Sequence, residues 1–271
     1  MATPATPAEQ LLLLGTDFTR HNDALDRLRL NDSDFSPATA LIHQANSTQH
    51  LARSALDIAE TLNAQRMYRS PVIRAVYARV RQLAHLATDS ADRLLRASNI
   101  LANASYTVAS RGEDALPAYW KALEEAGSRL TLIRDLTALG AQDSLTAAEQ
   151  FVTEQRRGVP PPHQPPVLSP TQDAALRAIA RGEVMINRLS DKPYVSRDDI
   201  RITISTIRSL ESRGLVTREP CPPRLHDERI HLTADGRRGL AATFGRPRPP
   251  ALTAAGPASR PSATAARAAT R

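Results

Sequence analysis

Cysteine is almost absent from this chain, which has only Cys221. One thiol excludes a disulfide framework and any zinc site built on cysteine pairs. Aromatic residues make up 4% of the sequence, with a single tryptophan. A core must therefore come from Leu, Ile, Val and Ala, which favours helices packed along Ala/Leu stripes over a β-rich fold. The N-terminal apolar run is only Leu11 to Leu14, with no basic stretch before it. That is too short for a signal peptide or a membrane span, so a cytoplasmic protein without membrane contact is expected. G-x-S-x-G, phosphate-loop and dinucleotide glycine patterns are missing too, so neither an enzyme nor a cofactor is expected. His226, His231, Asp227 and Cys221 are metal-ligating types, but their spacing is not that of a zinc motif, and no metal is expected.

What is present is unevenly distributed. Residues 1–157 carry a net charge of −1 and residues 158–271 a net charge of +8. A basic half joined to a neutral half points to a polyanionic partner for the C-terminal part. Five of the arginines lie in the last 26 residues. The tail over 247–271, rich in Pro, Ala, Ser, Thr and Arg, cannot bury a core and is expected to be disordered and basic.

The first 157 residues read as helices. Leu11, Leu14, Phe18, His21, Leu25 and Leu28 occupy alternating spacings of three and four over 7–30. Ser36-Pro37 opens a second helix with a stripe of Leu41, Thr48, Leu51, Ala55, Ile58 and Leu62. Pro71 starts a third, whose stripe runs Ile73, Val76, Val80, Leu83, Ala87, Ser90, Leu94, Ala97, Leu101. A fourth is expected from about Glu113 past Leu139, with Leu116, Tyr119, Leu123, Ala126, Leu130 and Ile133 inward. Gly140 interrupts it before Leu145 to Arg157 closes the domain. His21 reads as a core or rim histidine, and Tyr119-Trp120 as part of the packed core. The expectation for 7–157 is an elongated antiparallel bundle of about four long helices that dimerises or binds a partner. The prolines of 158–167 predict a stiff linker.

The remainder, 168–246, changes character. Ser169-Pro170-Thr171-Gln172 has the form of a capping box with Pro at the first helical position. Val184-Met185-Ile186 and Pro193-Tyr194-Val195 read as two arms of a hairpin. Ile200, Ile202 and Ile204 alternate with period two, and from Ile204 through Ile207 and Leu210 the period becomes helical. Gly214 ends that helix, Leu215 to Arg218 and Arg229 to Leu232 form two strands, and Thr233 caps a last helix.

The phrases Leu210-Glu211-Ser212-Arg213-Gly214-Leu215-Val216 and Leu232-Thr233-Ala234-Asp235-Gly236 give 168–246 a resemblance to winged helix-turn-helix domains. The closest likeness is to transcription factors of the multiple-antibiotic-resistance-regulator type. That family places a full helix before the recognition helix, where this chain offers only Tyr194 to Arg201. The resemblance implies a recognition helix at about 203–213 that binds double-stranded DNA through Thr203, Ser205, Thr206, Arg208, Ser209 and Arg213. It implies a wing that contributes Arg224, His226 and Arg229. A mainly α protein follows, acting as a homodimeric transcriptional regulator. The alternative expectation is a non-enzymatic structural or adaptor protein, with the winged domain used for protein contacts or non-specific DNA anchoring.

Overall fold

The computed structural model describes residues 4–28, 30, 36–65, 70–158, 168–187, 192–195, 202–221 and 227–246. The expected linker beyond Gly158, the expected tail over 247–271, and Arg224 and His226 lie outside the described residues.

The chain is mainly helical. Its elements run α1 (Pro7–Arg27), α2 (Pro37–Ala64), α3 (Pro71–Arg111), a 3₁₀ turn (Gly112–Ala115), α4 (Leu116–Thr137), α5 (Gly140–Gly158) and α6 (Pro170–Ala180). They continue with β1 (Val184–Asn187), β2 (Lys192–Val195), α7 (Ile204–Ser212), β3 (Val216–Pro220), β4 (Asp227–Leu232) and α8 (Ala234–Ala241). A Ser/Thr-Pro pair opens α1, α2, α3 and α6. The hydroxyls of Thr6, Ser70 and Ser169 each accept a backbone N–H of the first turn, while proline fills a position whose N–H would have no partner. At 41 residues α3 is about 60 Å long.

The heptad stripes are buried as their spacing predicts. Leu11, Leu14, Phe18, His21 and Leu25 of α1 face inward, as do all six stripe residues of α2 and Val76 to Leu101 of α3. The N-terminal end of α4 departs from expectation. It is cut from α3 by the 3₁₀ turn, and Leu116 lies exposed instead of on the core stripe.

Two apolar clusters fill the helical part, one around Phe18, Ile58 and Val80, the other around Leu25, Leu41, Leu101 and Ile133. Along α1, α2 and α3 the residues between them are His21, Gln44, Thr48 and Ser90, all buried. The amide of Gln44 donates to Nδ1 of His21 at 2.8 Å, and the Ser90 hydroxyl donates to the Leu86 carbonyl at 2.7 Å. Burial lowers the His21 pKa to about 4, so the ring is neutral near pH 7.

The four strands form one antiparallel sheet in the order β2-β1-β4-β3. The hairpin expected at 184–195 is present, with Val184 opposite Val195 and Ile186 opposite Pro193. Met185 pairs Arg229 across β1 and β4, and Arg218 pairs Ile230 across β3 and β4.

The sequence suggested two units separated by a stiff spacer, yet the first apolar cluster crosses from one to the other. It contains Leu11, Leu12 and Phe151 together with Leu176, Ile207, Leu210, Ile230 and Leu240. The connecting helix is α1, which buries Leu12, Thr16, Thr19 and Asp23 in addition to its heptad stripe. A Cβ on Gly182, at the end of α6, would sit 2.4 Å from the Thr19 hydroxyl. At the far end, Arg156 of α5 donates to the carbonyls of Ala242 and Phe244, the last turn of α8 and the residues beyond it. A guanidinium there satisfies orphan carbonyls and opposes the negative end of the helix dipole.

Candidate nucleic-acid interface

Helix α7 begins at Thr203, whose extended backbone and hydroxyl accepting the Thr206 N–H at 3.3 Å make it the N-cap. Ile207 and Leu210 are buried, while Thr203, Ser205, Arg208, Ser212 and Arg213 are exposed and Thr206 is half-buried. The Thr203 hydroxyl lies 2.8 Å from that of Ser205 and 3.0 Å from that of Thr206. Three small hydroxyls thus cluster at the positive end of the helix dipole, where a phosphate is favoured. Nine residues give a helix of about 14 Å, and the diameter of an α-helix with its side chains, about 10–12 Å, fits the roughly 12 Å width of the DNA major groove.

The other two candidates on α7 hold it in place. Gln172, the capping-box residue of α6, donates through its amide nitrogen to Ser209 at 3.1 Å and accepts from Arg213 at 3.2 Å. Ser209 therefore turns toward α6, and Arg213 leans on the same side chain.

The two phrases singled out in the sequence interlock. Gly214 has φ +67°, and the turn closes with Leu215 N–H donating to Leu210 C=O at 3.0 Å. Thr233 N–H then donates to Leu215 C=O at 3.1 Å, and its hydroxyl to Gly214 C=O at 2.6 Å. That hydroxyl also accepts the Gly236 N–H at 3.0 Å, which caps α8. A Cβ on Gly236 would lie 1.9 Å from the Leu215 oxygen, so only glycine fits where α8 meets the exit of α7. Glu211 accepts from Arg218 of β3 at 3.1 Å, which ties helix and strand together.

Arg229 does not lie where the wing assignment put it. Its side chain is 12% exposed and forms a two-pronged pair with Asp23 of α1 at 2.6 Å on both prongs, Asp23 being 11% exposed. The remaining nitrogen donates to the Gly182 carbonyl. Burial draws the guanidinium pKa down and the Asp23 bonds more than reverse it, so the charge is held. Beside it, Arg20 of α1 donates to Glu219 of β3 at 3.0 Å, and His231 Nε2 lies 3.6 Å from the same carboxylate. Burial holds the His231 pKa at about 4 despite that carboxylate.

The reason is the period of β4. Ile230 and Leu232 enter the core shared with α7, and Arg229 and His231 point to the opposite face, which α1 covers. A strand with one expected solvent face has both faces covered. Asp23 and Gln172 were missed as partners. The alternation of β4 marks where Arg229 points, but only the path of α1 shows what meets it.

Among the described residues, no group of three or more His, Cys, Asp or Glu side chains is placed to hold a metal ion. Burial raises the Cys221 thiol, which keeps it protonated. Among the described residues, no helix is long and apolar enough to cross a membrane. Comparison of the chain with family models, curated proteins and solved structures finds no match.

Proposed function

We propose that residues 168–246 are a winged helix-turn-helix unit that binds double-stranded DNA, and that the protein is a transcriptional regulator. Its elongated bundle, 7–157, mediates dimerisation or partner binding. The observation that supports this reading is the outward face of α7. Thr203, Ser205 and Arg208 stand exposed at the front of a short helix whose back is fixed by Ile207 and Leu210. The order α6, β1, α7, β3, β4, with β4 between β1 and β3, is the arrangement such a unit requires. Of the segment that usually carries a second helix, only 192–195 are described. Strand β2 occupies 192–195, and six residues separate it from Ile202. The proposal therefore concerns the winged architecture and not membership of one regulator family.

In this reading α7 enters the major groove, Ser205 and Thr206 contact phosphates, and Arg208 contacts a base edge. A second reading, an adaptor that uses the winged domain for protein contacts, draws on the inward turn of Arg229, which removes one cation from the β3–β4 hairpin. Fluorescence anisotropy with labelled duplexes at increasing salt separates the two. DNA binding through neutralised phosphates weakens steeply as salt rises, and a protein-contact surface shows no such binding. Arg208→Ala is expected to cost about 1–3 kcal/mol on a selected site and little on random duplex. An equal loss on both makes Arg208 a phosphate contact, and no loss on either removes α7 from the groove.

A further inference from the structure

Helix α4 lies at the edge of the bundle. It packs along α3 and meets α1 only toward its C-terminal end, where Arg134 donates to the Leu25 carbonyl and the Thr137 hydroxyl donates to Asn22. Its core stripe is Ala122, Leu123, Ala126, Leu130 and Ile133. At 100° per residue a second, flanking face collects Leu116, Trp120, Gly127, Thr131, Arg134 and Ala138 within about 60° of arc. Trp120, the only tryptophan of the chain, is 60% exposed there, contrary to the core role its sequence position suggested. Only Tyr119 beside it packs against the core.

Gly127 is the odd residue on that face. Glycine inside a helix costs about 1 kcal/mol relative to alanine. At other positions a contact or a positive φ explains it: Gly15 faces the Ala141 carbonyl, Gly140 lies under the Phe18 ring, and Gly214 is left-handed. Among the described residues a Cβ on Gly127 would meet nothing within 4 Å, and its φ is not positive. No neighbour among them needs the missing side chain.

We propose that this flank of α4 is the contact between two copies of the chain, their α4 helices crossing antiparallel at Gly127. The glycine then lets two backbones approach. Trp120 and Arg134 each lie seven residues from Gly127, about 10 Å along the axis. Trp120 of one copy therefore stands level with Arg134 of the second, a pairing of aromatic face and guanidinium. The charges suit the same direction. Of the charged residues of α4, Arg134 lies on this flank and Glu124 at its edge. A parallel crossing at Gly127 sets Arg134 level with Arg134, and an antiparallel one moves it toward the Glu124 half of the second helix. The contact gives the proposed dimerisation of the bundle a location and is independent of the DNA reading.

The test uses the full chain in sedimentation velocity and intrinsic fluorescence from sub-micromolar to about 100 μM. The wild type is expected to pass from monomer to dimer, with Trp120 emission shifting to the blue over the same range. Gly127→Arg is expected to stay monomeric with an unchanged circular dichroism spectrum, because the site is open within the chain. Trp120→Ala is expected to weaken the dimer at least tenfold. A wild type that stays monomeric with wet tryptophan overturns both the proposal and the dimerisation reading. A dimer that survives both substitutions overturns the α4 contact alone. Anisotropy of Gly127→Arg on a single duplex site reports separately on α7.

Discussion

Replacing Asp23 with alanine tests whether the C-terminal unit is held on α1 as described. The pair it breaks has both side chains about nine-tenths buried, with two bonds of 2.6 Å. After the change the Arg229 guanidinium keeps the Gly182 carbonyl and the Cys221 sulfur, neither of them an anion, as acceptors. A buried ion pair that loses one member leaves an uncompensated charge and costs about 3–5 kcal/mol, against about 0–1 kcal/mol for an exposed pair. At roughly 2–4 °C per kcal/mol for a chain of this size, the thermal midpoint falls by roughly 6–20 °C. The double change Asp23→Leu with Arg229→Met removes both charges. Since apolar replacement of a buried pair is often neutral, it is expected to recover most of the loss. Urea unfolding followed by circular dichroism reads both variants, and with the single changes Asp23→Leu and Arg229→Met it completes the cycle that yields the coupling energy. A loss below about 1 kcal/mol for Asp23→Ala, or a double variant no better than the single, refutes the buried pair and the docking built on it. The double variant should also keep the wild-type salt dependence on DNA, because Arg229 faces α1 and not the phosphates.

Gly236→Ala is expected to destabilise more than Gly214→Ala in the same urea assay. The first places a Cβ against a backbone oxygen, which the neighbour cannot yield. The second meets open space and bears only the left-handed backbone, about 1–2 kcal/mol. Phe18→Ala, at a side chain fully buried over Gly140, is expected to cost about 3–5 kcal/mol. Stability should fall on acidification from about pH 6.5 to about pH 4, because His21 and His231 are neutral when folded and their pKa values of about 4 lie below the unfolded value. The unfolded chain binds the protons first, so each ring contributes up to about 1.4 kcal/mol per pH unit across that window. His21→Leu should reduce the slope by about one proton in urea titrations at several pH values; an unchanged slope refutes the buried neutral ring.

The helices were legible because long stripes of Leu and Ala have one dominant period, as in Val76 to Leu101 of α3. The β1–β2 hairpin and the caps at Ser169, Thr203 and Thr233 were legible from local chemistry. The second buried face of α1 was not. Leu12, Thr16, Thr19 and Asp23 mix apolar, hydroxyl and acidic side chains, so no hydropathy period marks them. Thr19 and Asp23 meet Gly182 and Arg229, more than 150 residues later. The candidate site divides on the same line. Thr203, Ser205 and Arg208 follow from the helix period of α7, whereas Ser209, Arg213 and Arg229 depend on which element lies across from them.

The shared helix also sets a clock on synthesis. Asp23 and Arg229 are 206 positions apart, and Arg20 and Glu219 are 199 apart. At about 5–20 residues per second, roughly 10–40 s pass between translation of α1 and the appearance of β4. Through that interval α1 can fold against the later bundle helices along its heptad stripe, while Asp23 and Arg20 wait for Arg229 and Glu219. A nascent chain stalled before residue 216 therefore displays on α1 a carboxylate and a guanidinium that the finished protein pairs with β4 and β3.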